Sequence, residues 1–134
     1  MGIWQNIRSI FSSSPSQATP QPSNDAASTA RVHQTALRVH RFLVDELNYY
    51  SPFEPQPNDK IEGSYTFMVS YRGPTDNVLY NFVVSVSDVG GNDYFELSPG
   101  PKEWNVMHPN EAMIREFFTK KRAEIIERNS RIGR

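Results

Sequence analysis

The 134-residue sequence contains no cysteine. This absence excludes disulfide bonds, thiolate metal ligands and cysteine nucleophiles. It also favours a reducing compartment, because small secreted domains usually depend on disulfides for stability. No stretch approaches the roughly 20 apolar residues of a membrane-spanning helix, and the N-terminus lacks the continuous apolar run of a secretory signal. We therefore expect a cytoplasmic protein, with membrane association left open.

Catalytic and metal-binding patterns are also scarce. Of the three histidines, His33 and His40 share a predicted helix but lie roughly 10 Å apart along its axis, too far to share one metal ion. His108 precedes a helix-starting proline, and Gly90-Gly91 lies in a predicted hairpin turn rather than in a phosphate-binding loop. We expect no enzyme activity, no metal and no cofactor. The competing hypothesis is a small enzyme that uses His40 or His108 as a base.

Residues 1–11 contain a short amphipathic segment, which is the clearest functional signal in the sequence. A helix of this length is marginal alone in water, so it should form only where an apolar surface receives it. We predict docking on a membrane interface or in a groove on a partner. The alternatives are that it folds back on its own domain or stays disordered. The apolar stripe at helical spacing consists of Ile3, Trp4, Ile7, Ile10 and Phe11.

Residues 12–25 are dominated by serine and proline and have no apolar periodicity. Such a segment cannot bury enough surface to offset its ordering entropy, so we predict a disordered linker. As a flexible tether its mean reach is roughly 20 Å. The remaining residues, 26–134, are predicted to form one α+β domain.

Two helices are predicted in this domain. Apolar residues at helical spacing indicate a first helix over about 26–49, and Pro52 ends it. Residues 51–59 contain three prolines and predict a stiff, extended connection. Near the other end, a proline suited to the first helical position opens a second helix over about 109–129.

Between the helices, the hydrophobic period changes to two. Alternation over 65–72 and 78–87 predicts an antiparallel hairpin, and 94–98 a short third strand. Residues 104–107 are either a fourth strand or a packed loop. The predicted fold is an α+β two-layer sandwich, in which an antiparallel three- to four-stranded meander is covered by an N-terminal and a C-terminal helix. Because scaffolds of different function share this order of elements, the fold alone predicts no activity.

Charge is nearly balanced over the chain, at −1, but unevenly distributed. Residues 51–108 carry three basic and eight acidic side chains, whereas 109–134 carry seven basic and four acidic ones. A basic C-terminal helix can contact phosphates, although interleaved glutamates are typical of an ordinary solvated helix face. The candidate basic patch consists of Arg115, Lys120, Lys121, Arg122 and Arg128.

The sequence thus favours a non-enzymatic adaptor or accessory protein. Its α+β domain is expected to bind a protein partner, with a second copy of the chain as one option, while the N-terminal segment docks on a membrane or a second partner. The alternative function is nucleic-acid binding through the C-terminal helix, although the balanced net charge makes nucleic acid the less expected partner.

Overall fold

The structure is a computed structural model that describes residues 26–132. The first helix, α1, runs over Ala26–Arg41 and continues as one π-helical turn, Phe42–Glu46. It therefore ends slightly before the predicted residue 49. Asn48 adopts φ of 62° just after this turn, in the left-handed region that asparagine tolerates better than most residues. The predicted docking segment, residues 1–11, and linker, residues 12–25, lie outside the described residues.

The sheet has four antiparallel strands in the order β1-β2-β3-β4, which confirms the predicted α+β class. Of the two alternatives predicted for 104–107, the strand is wrong, because the chain forms a 3-10 helix, Lys102–Asn105, followed by a turn. The additional strand is β1, a two-residue edge strand within the segment predicted to be an extended connection. The strands are β1, Gln56–Pro57; β2, Tyr65–Arg72; β3, Leu79–Val89; and β4, Asn92–Ser98.

A two-residue turn joins β3 to β4, whereas the predicted strands left residues 88–93 between them. Gly90 and Gly91 have φ of 63° and 85°, and two successive positive values match the tight turn that twisted hairpins prefer. Consequently β3 continues to Val89 and β4 begins at Asn92. Because β4 begins at Asn92 rather than at the predicted residue 94, two more of its residues lie along the edge of the sheet.

Side chains from one face of the sheet and from both helices form a single apolar core. The second helix, α2, runs over Glu111–Ile132, so it begins and ends later than the predicted 109–129. Tyr49, just after the π-helical turn, is joined to α2, because its buried hydroxyl donates a hydrogen bond to the Phe118 carbonyl at 2.9 Å. The core includes Val32, Ala36, Val39 and Leu43 before the sheet; Phe67, Val69, Phe82, Val84, Val86 and Phe95 from the strands; and Ile114 and Phe118 from α2.

An ion-pair cluster holds the β3–β4 hairpin against α1. Arg31 donates from its guanidinium to the buried Asp88 carboxylate and, at 3.1 Å, to Asp93. Thr35, one helical turn further on, donates to the other oxygen of Asp93 at 3.0 Å. These bonds fix the start of β4, and with it the position of the free border of the sheet.

Candidate partner-binding surface

The outer border of β4 carries main-chain groups with no backbone partner. In a hairpin with a two-residue turn, Val89 and Asn92 form the first hydrogen-bonded pair. The N–H and C=O groups of Asp93, Phe95 and Leu97 therefore point away from β3. Within residues 26–132, no backbone hydrogen bond joins β4 to any segment other than β3. Phe95 is only 2% exposed, so its main-chain groups on this border lie beneath neighbouring atoms rather than open to solvent.

The opposite border of the sheet is protected. β1 is only two residues long and includes Pro57, which has no N–H to offer. Beyond it, Tyr50 and Ser70 exchange two main-chain hydrogen bonds of 2.8 Å. Short edge strands and proline are devices that prevent unwanted strand pairing, and β4 has neither, since it is seven residues long and lacks proline.

The segment that leads from β4 to α2 folds back beside this border. Its half-buried Trp104 packs near Phe117 of α2, with ring centroids 5.7 Å apart. Further along, the exposed His108 ring lies 4.4 Å from the ring of Tyr94, and the Tyr94 hydroxyl is 3.2 Å from His108 Nε2. The segment is thus held against the domain at Trp104 and at His108, and it leaves a gap between itself and β4.

That gap is a cavity of about 200 Å³. It is smaller than the roughly 300–1,000 Å³ of typical small-molecule sites, so it suits one inserted side chain better than a cofactor. On one side it is lined by three consecutive β4 residues, and on the other by the returning segment. The lining residues are Phe95, Glu96 and Leu97, with Gly100, Pro101, Trp104, Asn105, His108 and Pro109 opposite.

Two exposed apolar residues stand beside the cavity. Val106 is 88% exposed, more than any other large hydrophobic side chain in the described part of the chain, and Met107 is 49% exposed. Both directly follow the 3-10 helix that carries Trp104. Adjacent exposed apolar side chains next to an aromatic-lined cavity are typical of a protein interaction site.

Acidic charge borders the same cavity. Glu96 is exposed on β4 and Glu103 is exposed on the 3-10 helix. Neither side chain forms an ion pair or a hydrogen bond with another residue of the 26–132 range. Because the local charge is uncompensated apart from the exposed Lys102, the surface favours a ligand with a basic group over one with an acidic group.

The outer face of the sheet is more polar. Met68, Leu79 and Val83 are 39%, 44% and 37% exposed there, but hydroxyl and amide side chains interleave with them and bond to one another. Antiparallel sheets commonly keep one face in water, and this face fits that description. The polar pairs are Ser70 with Asn81 at 2.7 Å and Thr66 with Ser85 at 3.1 Å.

The predicted basic patch on α2 is distributed around the helix rather than gathered on one free surface. Three of its members form ion pairs with glutamates on the same helix: Arg115 with Glu111 at 2.9 Å, Lys120 with Glu116 at 3.2 Å and Lys121 with Glu124 at 3.3 Å. Glu111 also pairs with Arg38 of α1 at 2.7 Å. The other two lie over tyrosine rings of the sheet: Arg122 over Tyr71 at 5.8 Å and Arg128 over Tyr80 at 5.6 Å.

The histidines occupy three separate environments. His33 stacks on Tyr65 with ring centroids 4.3 Å apart, whereas His40 is buried edge-to-face against Phe67. Burial lowers the pKa of His40. His108 belongs to the surface beside β4. Among the residues that the structure describes, no group of three or more histidine, aspartate or glutamate side chains is placed to hold a metal ion.

The five predicted docking residues, Ile3, Trp4, Ile7, Ile10 and Phe11, lie outside the described residues. Of the residues beside the cavity, the sequence singled out His108 as a candidate base, and it assigned no function to Val106 and Met107. No helix over residues 26–132 combines the length and apolarity needed to cross a membrane. No protein-family model, curated protein or solved structure matches the chain.

Proposed function

We propose that the protein is a non-enzymatic adaptor whose α+β domain binds a protein partner on the β4 side. The observation that carries this proposal is the pair of exposed apolar residues, Val106 and Met107, beside a side-chain-sized cavity next to β4. A cavity that holds one side chain, with exposed apolar residues beside it, is complementary to a polypeptide rather than to a small metabolite.

The packing of the domain supports this assignment. The apolar side chains of one sheet face and of both helices form one core, which supports the proposed two-layer sandwich. The other face of the sheet is exposed to solvent, and β4 is an edge strand of the sheet. A partner on the β4 side would bury apolar surface without disturbing the core.

The N-terminal segment completes the proposed adaptor. Residues 1–11 would dock on a membrane or a second partner through their apolar stripe, and residues 12–25 would supply the tether. The absence of cysteine supports a cytoplasmic location, at a membrane surface when the segment is docked.

Nucleic-acid binding through α2 receives less support. Three of the five basic residues form ion pairs with glutamates of the same helix, so their charge is already partly neutralised. A second copy of the chain as the partner is compatible with the proposal and would appear as self-association.

Paired variants of the full chain test the proposal. Val106→Asp together with Met107→Asp should abolish recovery of the partner by affinity capture from the native cell. Leu79→Asp together with Val83→Asp, which places the same charge on the outer sheet face, should leave recovery unchanged. Loss in the second variant only would place the binding surface on the sheet face and contradict the proposal. Circular dichroism of both variants confirms that they fold.

A further inference from the structure

We infer that a second groove, between the end of α1 and the start of α2, binds a phosphorylated residue of a protein segment that also carries a basic residue. Arg38, Arg41 and Arg115 are placed to hold the phosphoryl group. Asp45 and Glu46 are placed to face the basic residue. This groove is separate from the surface beside β4, so the inference goes beyond the proposed function and does not rest on it.

The groove has a volume of about 380 Å³, within the roughly 300–1,000 Å³ of typical ligand sites. The residues that line it come from α1, from the π-helical turn and from α2. That turn contains a hydrogen bond of 3.2 Å from the Leu47 N–H to the Phe42 carbonyl. Because single π-helical turns are rare and occur frequently at functional sites, the turn favours a functional role for this groove.

Two of the three arginines are held in place by one glutamate. Arg38 donates two hydrogen bonds to the Glu111 carboxylate, at 3.0 and 2.7 Å. Arg115 donates two more to the same carboxylate, at 3.1 and 2.9 Å, and its guanidinium lies 4.5 Å above the Phe42 ring. The Nη1 atoms of Arg38 and Arg115 form no hydrogen bond with another residue of the 26–132 range. Because both guanidinium groups are already fixed, binding a ligand through these atoms costs little further side-chain entropy.

The charge of this cluster matches a phosphate monoester. The hydrogen bond from Arg38, together with that from Arg115, lowers the pKa of Glu111, so its carboxylate stays ionised and cancels one positive charge. Arg41 is exposed about one helical turn from Arg38 and forms no ion pair with any other described residue. Two positive charges therefore remain, which a phosphate monoester neutralises with its charge of about −1.5 to −2 at pH 7. A carboxylate neutralises only one of them.

Acidic side chains in the same groove select the kind of molecule that carries the phosphate. Asp45 and Glu46 are exposed further along the same helical segment. An anionic membrane surface or a nucleic-acid backbone is repelled by both carboxylates, and free phosphate gives them no partner. A peptide in which a lysine or arginine lies near the phosphorylated residue is complementary to both charges of the groove. The observations thus favour a phosphorylated protein segment.

Isothermal titration calorimetry of the full chain tests the inference with defined peptides. The probe is the acetylated and amidated peptide Ala-phosphoserine-Ala-Lys-Ala. The same peptide with unmodified serine should bind at least about tenfold more weakly, because hydrogen bonds to a charged group are lost. The phosphorylated peptide with glutamate in place of lysine should bind about fivefold more weakly, as expected for an exposed ion pair.

Single charge reversals provide the decisive comparison. Arg41→Glu should weaken binding of the phosphorylated peptide at least about tenfold, and because Arg41 is exposed, the fold should be retained. Arg128→Glu makes the same change at an exposed position of α2, roughly 20 Å along the helix from Arg115, and should leave the affinity unchanged. Asp45→Lys together with Glu46→Lys should reverse the preference, so that the glutamate peptide binds more tightly than the lysine peptide. Circular dichroism confirms that all three variants fold.

Several results would overturn the inference. These are absence of binding at millimolar phosphorylated peptide, equal binding of the unmodified peptide, an unchanged affinity in Arg41→Glu, and an equal loss in Arg128→Glu. Inorganic phosphate that binds as tightly as the peptide would show a site for free phosphate. Phosphatidylserine vesicles that bind in an Arg41-dependent manner, without peptide binding, would show a membrane contact, which also contradicts the inference. If the Val106 and Met107 variant still loses the cellular partner in these cases, the proposed function stands and only the phosphate site is wrong.

Discussion

Tyr94 of β4 and His108, three residues before α2, lie in contact beside the border of the sheet, with their rings 4.4 Å apart and the tyrosine hydroxyl 3.2 Å from Nε2. This contact holds the returning segment against β4 on the side away from Trp104. The shape of the cavity therefore depends on two aromatic anchors, one on each side of the exposed Val106 and Met107.

Removing one anchor should loosen the segment without unfolding the domain. His108→Ala deletes the ring contact, and because His108 is exposed, the stability cost should stay within about 1 kcal/mol. Hydrogen exchange followed by mass spectrometry should show faster exchange over residues 102–108 and unchanged exchange over β2. Unchanged exchange in both regions would mean that Tyr94 does not hold the segment.

Asn129 should be important for stability although it lies far from the proposed site. Its buried amide oxygen accepts hydrogen bonds from the main-chain N–H groups of Thr75 and Asp76, each at 2.7 Å, and its nitrogen donates to the Ile125 carbonyl at 2.7 Å. Asn129→Ala leaves these groups without their partner and should lower the free energy of unfolding by about 2 kcal/mol. Urea denaturation measures the loss. Ser130→Ala, at the exposed next position, is the control. An equal effect of the two substitutions would refute the stabilising role of the hydrogen bonds that the Asn129 side chain forms with the Thr75 and Asp76 main chain.

Stability should depend on pH through His40. Burial lowers the pKa of this imidazole below its usual value near 6.5, so the unfolded chain takes up the proton more readily than the folded protein. The stability is therefore fully present above about pH 6.5 and is lost as the pH falls through the lowered pKa of the folded state. Denaturation between pH 7.5 and 5 should show a steeper decline for the wild type than for His40→Gln. Identical slopes in the two proteins would rule His40 out.

The N-terminal stripe predicts membrane association that depends on two aromatic residues. Trp4→Ala with Phe11→Ala removes the largest apolar side chains of residues 1–11, so the full chain should no longer sediment with lipid vesicles that retain the wild type. Gln5→Ala with Asn6→Ala alters polar positions and should have no such effect. If the wild type itself does not sediment, the membrane prediction fails, and docking of the stripe in a groove on a partner protein is the remaining prediction.

The sequence predicted local elements well and long-range ones poorly. α1 and the β2–β3 hairpin were predictable because each has an unbroken period of its own. β1 was not, since a two-residue strand with a proline exists only through pairing with β2. Residues 104–107 resemble a strand by composition, but the contact of Trp104 with Phe117 holds the chain in a 3-10 turn. Tertiary packing there outweighs local propensity.

The candidate surface depends on the same long-range information. That β4 lies at the border of the sheet follows from strand order, which no local pattern encodes. The basic residues of α2 were visible in the sequence, and so was their neutralisation, because their glutamate partners follow or precede them by three or four positions. Glu96 could not be singled out, since its importance comes only from the cavity that it borders.

Site-specific photo-cross-linking in the native cell tests the central claim most directly. The full chain carries benzoylphenylalanine at position 106 or, as the matched control, at position 79 on the outer sheet face; both positions are exposed in the structure. We predict a discrete cross-linked protein from position 106 and none from position 79. A product from position 79 alone, or from neither position, would contradict partner binding on the β4 side.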